Sequence, residues 1–392
     1  MEFVDAAQVQ ALSREPGSAK SGAKYLAAML ADGPRAYADN ADVEMQALLV
    51  DGTLLPVVLN RGAAGGAETC SPYSHYVSYT VAEVSRRNPR VPAWLFSAGA
   101  TPAGHLLRLA GIESVVSVNN WLLSTNPSVC LNREQVQELT ACLAGSYPGR
   151  AILWRSLNPS LDGAFIECLR QSGYRLLRSR LVYVSDPGPQ LYRNHSNARR
   201  DLTLLKHTKY KVVSDHQSLA PYAERMTELF RSLYLRKHSV FNTAFNSRFF
   251  ALALACGLFE FRGFLADGQL DAFAAFFTTD RIMTGSLLGY DLNRPRSLGL
   301  YRMAIATFLD QAASRGLRLN LSAGADSFKA FRGGIPVDEY DAVYDRHLPA
   351  SRRSVWVAMS AVTRAAGAWR ARGRGASAAG VLPPAASAHR NI

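Results

Sequence analysis

Apolar positions in the first half of the chain alternate between strand-like and helix-like spacing. Residues 45–59 (MQALLVDGTLLPVVL) form two apolar runs on either side of Asp51-Gly52, a dipeptide typical of a two-residue hairpin turn. Between residues 78 and 180, strand-like runs such as AILWRSL are followed by helix-like runs such as LDGAFIECLRQSG. This alternation predicts a layer of strands covered by helices.

The second half of the chain has clearer element boundaries. A helix is predicted over Tyr222–Leu235, and another begins at Asn246 or Ser247 and ends at Gly257. Three strand-like runs follow in close succession, and their short turns predict an antiparallel meander. The pattern ends with a long helix, a strand and a short helix, at Leu300–Ala313, LRLNLSAG and Asp326–Phe331.

Together these patterns predict an α/β (α+β) fold with a mixed, mainly antiparallel sheet flanked by helices. A hydrophobic fraction of 48% in 392 residues excludes a disordered chain. We predict an N-terminal helical extension over 1–44, domains over 45–182 and 190–350, and a basic, Ala-rich tail over 351–392. The tail is expected to be partly disordered, beyond Arg370.

The formal net charge of +13 is concentrated in two places. From Arg346 onward the chain has eight Arg and no Lys, Asp or Glu, and residues 193–211 contain six basic residues against Asp201. The sequence therefore indicates an anionic partner at these two places only. Trp356 and Trp369 lie among the arginines of the tail, a mixture that suits peripheral contact with a membrane surface or packing on the domain.

Cysteine and histidine spacing predicts no metal site. The five cysteines contain no CxxC pair, and the eight histidines show no HxxxH or HExxH spacing. The first residues lack a signal-peptide pattern, and no apolar run reaches the roughly 18 residues of a spanning helix. We expect a soluble, cytoplasmic protein without an integral membrane segment.

Residues 190–350 contain two helices, three antiparallel strands, a long helix, a strand and a short helix in that order. In this order, and in the segments NARRDLTLLKHTKYKVV and LRLNLSAGADSFKAFRGG, the chain resembles the acetyltransferase domain of BioF2-like and Fem-type transferases of the GNAT superfamily. Such proteins are often tandem, so the resemblance implies that residues 45–182 are a diverged first GNAT-like domain.

The resemblance also implies a donor-binding loop. GNAT proteins hold coenzyme A with Q/R-x-x-G-x-G/A at the start of the long helix, where backbone N–H groups meet the pyrophosphate. Here the segment is Arg296-Ser-Leu-Gly299-Leu-Tyr301, so Arg296, Gly299 and Tyr301 are the cofactor-binding candidates. Tyr301 departs from the pattern, because its ring would crowd a phosphate against the backbone.

The short helix carries the first catalytic candidate. GNAT enzymes typically place a Tyr there, within A-x-x-l-Y-x-x-x-G, and this chain has Ala325-Asp-Ser-Phe328-Lys329-Ala-Phe-Arg-Gly333. Fem-type transferases have a similar Phe-Lys pair, whose lysine polarises the donor carbonyl. A cation beside a developing oxyanion is a suitable catalytic group. The alternative is that Lys329 is a solvated helix residue.

An attacking amine must lose a proton, so a base is required. Glu260 lies among Phe259, Phe261 and Phe264, where burial would raise its pKa, or it faces outward and pairs with an arginine. Asp291 is the second candidate for the base.

Four residues are candidates for substrate binding: His238, Tyr290, Arg199 and Arg200. Each also has a structural interpretation, as a surface or core residue. Residues 71–79 (SPYSHYVSY) and 118–126 (VNNWLLSTN) concentrate aromatic and polar side chains that suit a cleft wall or a core. Ser-His-Asp catalysis is not predicted, because there is no G-x-S-x-G motif.

Three functions follow from these observations. The first is an N-acyltransferase that moves an acyl group from acyl-CoA or acyl carrier protein to an amine of a small molecule, with no permanently bound cofactor. The second is a Fem-like transferase that uses aminoacyl-tRNA, favoured by Lys329, Tyr301 and the basic stretches. The third is a binding protein that keeps the GNAT fold without catalysis.

Overall fold

The computed structural model describes residues 1–14, 19–60, 66–82, 104–186, 188 and 194–379. The last residues of the predicted tail (380–392) and most of the linker between the predicted domains (187 and 189–193) lie outside these ranges. The strands are β1 Glu2–Val4, β2 Val43–Val50, β3 Thr53–Asn60, β4 Val115–Val118, β5 Ala151–Leu157, β6 Arg175–Ser185, β7 Lys211–Val213, β8 Glu260–Ala266, β9 Gln269–Thr279, β10 Ile282–Tyr290, β11 Arg318–Ala323 and β12 Ile335–Tyr344.

The helices flank this sheet. They include α1 Ala6–Leu12, α2 Ala19–Asp32, α3 Arg133–Ser146, α4 Pro159–Gln171, α5 Ser196–Lys206, α6 Ala223–Arg231, α7 Ser247–Cys256, α8 Leu300–Ser314, α9 Asp326–Ala330 and α10 Ala350–Ala379. A further helical segment, 72–82, contains a π-helical stretch at Ser74–Ser78, and α6 continues into another at Ser232–His238.

All twelve strands form one sheet, in the order β1-β2-β3-β4-β5-β12-β6-β11-β10-β9-β8-β7. Only β4–β5 and β10–β11 pair in parallel, and the other neighbours are antiparallel. The prediction of a mixed, mainly antiparallel sheet flanked by helices is therefore confirmed.

The sheet repeats one pairing scheme twice and exchanges a strand between the two halves. β1 to β5 and β7 to β11 have the same succession of antiparallel and parallel neighbours. The strand that follows each half in sequence pairs with the other half. β6 follows β1 to β5 and pairs with β11, and β12 follows β7 to β11 and pairs with β5. Continuous hydrogen bonding across the centre joins the halves into one sheet. The predicted domain limits at residues 182 and 190 stay a prediction.

Turn chemistry explains the hairpins. Asp51 and Gly52 have φ values of 45° and 80° and join Val50 directly to Thr53 in the β2–β3 register. Two successive positive φ values define the type I′ turn, whose twist matches that of the strands. The predicted Asp267-Gly268 turn has the same geometry, with φ values of 49° and 75°.

Capping residues fix the helix ends close to the predicted positions. The Asn246 side chain accepts from the Phe249 backbone N–H, and Gly257 ends α7 with φ 68°, so Asn246 rather than Ser247 is the cap. α10 continues past Arg370 to Ala379, where we expected disorder, because its Ala and Arg residues favour helix.

The N-terminal helices pack against both halves. The Tyr25 ring of α2 lies 6.0 Å from the Trp121 ring and 6.3 Å from the Phe249 ring of α7. Its hydroxyl donates to the Trp121 carbonyl at 3.1 Å, so the buried polar group is satisfied. Residues 1–44 therefore help to hold the two halves together.

Candidate active site

Charged and polar side chains gather on three central strands, β5, β12 and β6, and on residues 66–82. The members are Arg155 on β5, Glu339 and Asp341 on β12, Ser179 and Arg180 on β6, and Glu68 and His75 from residues 66–82. Isolated buried charges are costly, so such a cluster requires internal pairing. We call these seven residues the central cluster.

Glu68 is the most connected acid of the cluster. One of its oxygens, Oε2, accepts from Arg155 Nη2 at 2.8 Å and from His75 Nδ1 at 2.8 Å, and the other, Oε1, accepts from Ser124 Oγ at 3.0 Å. Burial acts to raise the pKa of Glu68, but the charge of Arg155 and the hydrogen bond from His75 outweigh it and hold the pKa well below its usual range. Glu68 is therefore an ionised carboxylate.

Glu339, in contrast to Glu68, lies where its pKa is raised. It is 1% exposed, and Arg180 Nε donates to its Oε1 at 2.6 Å. Its second oxygen, Oε2, has no hydrogen-bond partner among the described residues. Burial raises the pKa of Glu339, and Arg180 only partly opposes this. A raised pKa and a free oxygen are the properties of a general base or acid.

Lys329 lies at the end of β11, held by that strand's backbone. Its Nζ donates to the carbonyls of Leu321 at 2.7 Å, Ser322 at 3.2 Å and Ala323 at 2.6 Å. The residue is 4% exposed, so it is not a solvated surface lysine. Burial, followed by the positive charge of Arg180, lowers the pKa of Lys329 to about 7.

Hydroxyl groups connect Lys329 with the central cluster. Arg180 Nη2 donates to Thr125 Oγ1 at 2.9 Å, and Thr125 Oγ1 is 2.9 Å from Ser322 Oγ. Ser322 has φ 58°, a left-handed conformation that is strained for serine. The strained turn directs the β11 carbonyls onto the lysine.

A wedge opens between β10 and β11 beside Lys329. The two strands pair over Ile282–Thr284 and Arg318–Asn320 and then follow different neighbours, β9 and β6. Three aromatic rings bridge the open end, with ring centroids 5.7 Å apart for Tyr290–Tyr301 and 4.8 Å apart for Tyr301–Phe328. Tyr290, a substrate-binding candidate, and Tyr301, a cofactor-binding candidate, thus lie next to the helix that carries Lys329.

The predicted phosphate loop is covered by a helix. Gly299 has φ 68° and directly precedes α8, whereas Arg296 is exposed. A Cβ added at Gly299 would lie 2.5 Å from Leu204 Cδ2 of α5. This packing leaves little room for a pyrophosphate at Gly299 in the usual GNAT pose.

Replacing Gly299 by alanine tests how tightly Leu204 packs against this position. We expect Gly316→Ala, at φ 62° with no neighbour within 4 Å, to lower the free energy of unfolding by about 1–2 kcal/mol through backbone strain alone. Gly299→Ala carries the same strain plus the contact with Leu204, so a further loss of about 1–3 kcal/mol is expected in urea unfolding. Equal losses in the two variants would show that Leu204 moves aside freely.

The remaining predicted residues are dispersed. Glu260 forms an ion pair with Arg315, with N–O distances of 2.5 and 2.6 Å. Hydrogen bonds from Arg315 lower the pKa of Glu260, so the expected increase in pKa is wrong. Arg315 follows the last residue of α8, a 15-residue helix about 22 Å long, and Tyr301 stacks against Phe328 at the other end. Glu260 is therefore distant from Lys329, and its role as a base stays a prediction.

Asp291 is held by Arg225, whose Nη2 donates to its Oδ2 at 2.7 Å. His238 is exposed at the end of the π-helical turn. Arg199 and Arg200 are exposed on α5, near the covered loop. The roles of these four residues stay predictions.

The central cluster was not found from sequence, although one signal pointed to it. Residues 71–79 and 118–126 were singled out as a cleft wall or core, and they supply His75, Ser124 and Thr125 to the site. The charged residues on β5, β6 and β12 match no known catalytic motif.

No protein-family model and no curated protein matches the chain. Among solved structures it is similar to FemX, with 10% identity, 88% of this chain and 97% of FemX covered, and a TM-score of 0.49. It is also similar to a tandem GNAT protein from the clavulanic acid biosynthesis pathway, with 12% identity, 87% of this chain and 97% of that protein covered, and a TM-score of 0.38. A third similar structure is L-PGS from Bacillus licheniformis, with 12% identity, 59% of this chain and 77% of that chain covered, and a TM-score of 0.41. The similar structures thus include GNAT-like tandem proteins. Similarity at this level does not transfer an activity.

Two further observations concern partners. Within the described ranges, no helix is long and apolar enough to cross a membrane. In the same part of the chain, no group of three or more His, Cys, Asp or Glu side chains is arranged to hold a metal ion.

Proposed function

We propose that the protein is a transferase that moves an acyl or aminoacyl group onto an amine, with Lys329 at the reacting carbonyl. The observation that supports this most directly is a buried lysine at the open end of the β10–β11 wedge, one hydroxyl bridge away from a cluster of charged residues. A buried ammonium stabilises a developing oxyanion far more strongly than a solvated one.

The longest hydrogen bond of Lys329 is the one that substrate would replace. Nζ lies 3.2 Å from the Ser322 carbonyl, against 2.6 and 2.7 Å for its other two acceptors. A donor carbonyl in the wedge would take this third N–H, while the other two bonds keep the ammonium in place. Attack by the amine moves negative charge onto that carbonyl oxygen, which Lys329 stabilises.

Glu339 is the base that we propose for the amine proton. Its unpartnered Oε2 accepts the proton as the amine nitrogen forms its bond to the carbonyl carbon. Collapse of the intermediate then breaks the bond to the leaving sulfur or oxygen, which takes up the proton from Glu339. Arg180, bonded to Oε1, keeps the carboxylate in position.

The donor class is the finer part of the proposal. Leu204 over Gly299 disfavours acyl-CoA in the usual pose, whereas the exposed Arg199 and Arg200 of α5 suit a large polyanion. We therefore propose an aminoacyl-tRNA or another carrier-borne acyl group as donor, with free acyl-CoA as the alternative.

Binding measurements separate these donors. We would titrate acetyl-CoA, a longer acyl-CoA and total aminoacylated tRNA against the full-length protein at 50 and 200 mM salt. Tight tRNA binding that weakens with salt, and is reduced in Arg199→Ala/Arg200→Ala, supports the proposed donor. Micromolar acyl-CoA binding without tRNA binding would overturn it and support the alternative.

The lowered pKa of Lys329 predicts a pH dependence of stability. The unfolded chain binds this proton up to pH 10.5, the ordinary pKa, whereas the folded protein binds it only up to about pH 7. Between these values the unfolded state holds more protons, so stability relative to Lys329→Met is expected to rise with pH. Urea unfolding of both proteins at pH 6.5, 8 and 9.5 tests this, and a difference that is constant or falls with pH would contradict it.

A further inference from the structure

Three side chains form a hydrogen-bonded row that runs from β6 into the interior. Ser179 Oγ lies 2.7 Å from His75 Nε2, and His75 Nδ1 lies 2.8 Å from Glu68 Oε2. Ser179 and His75 are half-buried, whereas Glu68 is 4% exposed. Hydroxyl, imidazole and carboxylate in this order and at these distances form the arrangement that activates a serine nucleophile.

The partners of Glu68 determine the tautomer of His75. Arg155 and Ser124 donate to the two oxygens of this ionised carboxylate, which can therefore only accept. His75 Nδ1 must carry the hydrogen that it donates to Glu68. In the neutral ring, the lone pair of Nε2 then faces Ser179 Oγ, the orientation that a base needs to remove the hydroxyl proton.

A second carboxylate stabilises the imidazolium that such a proton transfer would create. Asp341 Oδ2 lies 3.8 Å from His75 Nε2 and accepts from the Tyr76 hydroxyl at 2.7 Å. Arg155, which is paired with Glu68, also lies near the ring, with its Nη2 3.4 Å from Nδ1. Glu68 and Asp341 therefore contact the imidazole on its two nitrogens.

Ser124 connects the row with the proposed transferase site. Its hydroxyl donates to Glu68, and its carbonyl accepts from Arg180. Arg180 also bonds to Glu339 and to Thr125, and Thr125 contacts the turn that holds Lys329.

We propose that Ser179 is a nucleophile that carries the acyl group covalently, so that transfer proceeds through an acyl-enzyme. Ser179 Oγ forms a bond to the donor carbonyl carbon, and His75 Nε2 takes the hydroxyl proton. The bond from that carbon to the donor sulfur or oxygen breaks, and the leaving group receives the proton from His75. In the second step an amine attacks the ester carbon, Glu339 takes the amine proton as in the proposed function, and that proton is transferred to Oγ as the ester bond breaks.

This inference rests on the proposed function for the identity of the donor, but the reactivity of Ser179 can be tested without it. We would treat the full-length protein with a fluorophosphonate, which forms a stable adduct with an activated serine, and locate the adduct by peptide mass spectrometry. One adduct per chain at Ser179 is expected, and none at that position in Ser179→Ala. His75→Gln should label at least about 100-fold more slowly.

Ser185→Ala is the matched control, because Ser185 lies on the same strand and its Oγ has no partner among the described residues. It should label at the wild-type rate. If His75→Gln fails to fold, Ser179→Cys replaces it: the thiol introduced at position 179 should react with iodoacetamide faster than the exposed Cys130 of the same chain.

Three results would each overturn the inference. The wild type labels no faster than Ser179→Ala, the adduct forms at another residue, or the thiol introduced in Ser179→Cys reacts more slowly than Cys130. The proposed function fails by a different result. Lys329→Met is expected to keep the Ser179 adduct while losing transfer to an amine, so full transfer activity in that variant removes Lys329 from the mechanism and leaves Ser179 in place.

Discussion

Lys329→Met is expected to lower kcat for acyl transfer by about 10²–10³-fold, the usual effect of removing one oxyanion-stabilising group. Methionine has nearly the same length and apolar character as the lysine stem, so the space beneath β11 stays filled. The positive charge beside the reacting carbonyl is lost, and the negative charge that develops during attack is no longer balanced. Single-turnover kinetics would measure this effect on the chemical step separately from donor binding.

Two controls distinguish a catalytic from a structural lysine. Glu260→Gln removes a charge at the opposite end of α8, where Glu260 is paired with Arg315, and should leave kcat within about twofold, as expected for a site away from the reaction. Binding of the donor should change little in Lys329→Met. Full activity in a folded Lys329→Met would contradict the role of Lys329, and loss of donor binding together with a fall in unfolding temperature would show a structural role instead.

Local features of the fold were predictable because they depend on neighbouring residues. Asp51-Gly52 and Asp267-Gly268 specify their hairpins through positive φ values, and Asn246 and Gly257 specify both ends of α7. Lys329 was proposed from the resemblance of Phe328-Lys329 to the Phe-Lys pair of Fem-type transferases, whose spacing from Ala325 and Gly333 is local, and its catalytic role stays a prediction. In each case the determining residues lie within about ten positions of each other.

The exchange of β6 and β12 was not predictable from local pattern. No strand was predicted over 335–344, and the partners of β6 and β12 lie up to about 190 residues away, as when Tyr344 pairs with Ile152. Periodicity shows that a strand exists and which face is apolar, but not which strand it joins. Local pattern therefore does not show that each half completes the sheet of the other.

The central cluster could not be predicted either, because its members lie far apart in the sequence. Glu68 and His75 come from one part of the chain, Arg155 from another, and Glu339 from a third, so no motif links them. Burial of Glu260 among phenylalanines was inferred from its neighbours in sequence, whereas the structure shows that the side chain leaves that core and pairs with Arg315. Alternation along a strand determines the face, and Phe259 and Phe261 occupy the other one.

Asp201→Asn is expected to lower the free energy of unfolding by about 3–5 kcal/mol, the usual effect of removing one partner from a buried ion pair. Asp201 is 1% exposed, and its two oxygens accept from Arg302 Nε at 2.6 Å and from Arg332 Nε at 2.5 Å. Asparagine keeps the shape but offers one acceptor and no charge. At least one guanidinium then loses its acceptor, and Arg332 is itself buried.

Asp201→Asn should also disturb the active site, because Arg332 connects Asp201 with α9, the helix that carries Lys329. Its Nη1 donates to the Phe328 carbonyl at 2.8 Å, and its guanidinium lies 3.3 Å from the centroid of the Phe328 ring. Asp201→Asn is therefore expected to reduce kcat as well as stability, by loosening α9 rather than by removing a reacting group.

Asp310→Asn provides the matched control, since Asp310 is exposed on α8 and has no buried cation among its described contacts. It should change the free energy of unfolding by less than about 0.5 kcal/mol. Urea unfolding followed by circular dichroism compares the two variants. A loss below about 1 kcal/mol in Asp201→Asn would mean that water replaces the carboxylate at both arginines, and that α5 does not anchor the helix of Lys329.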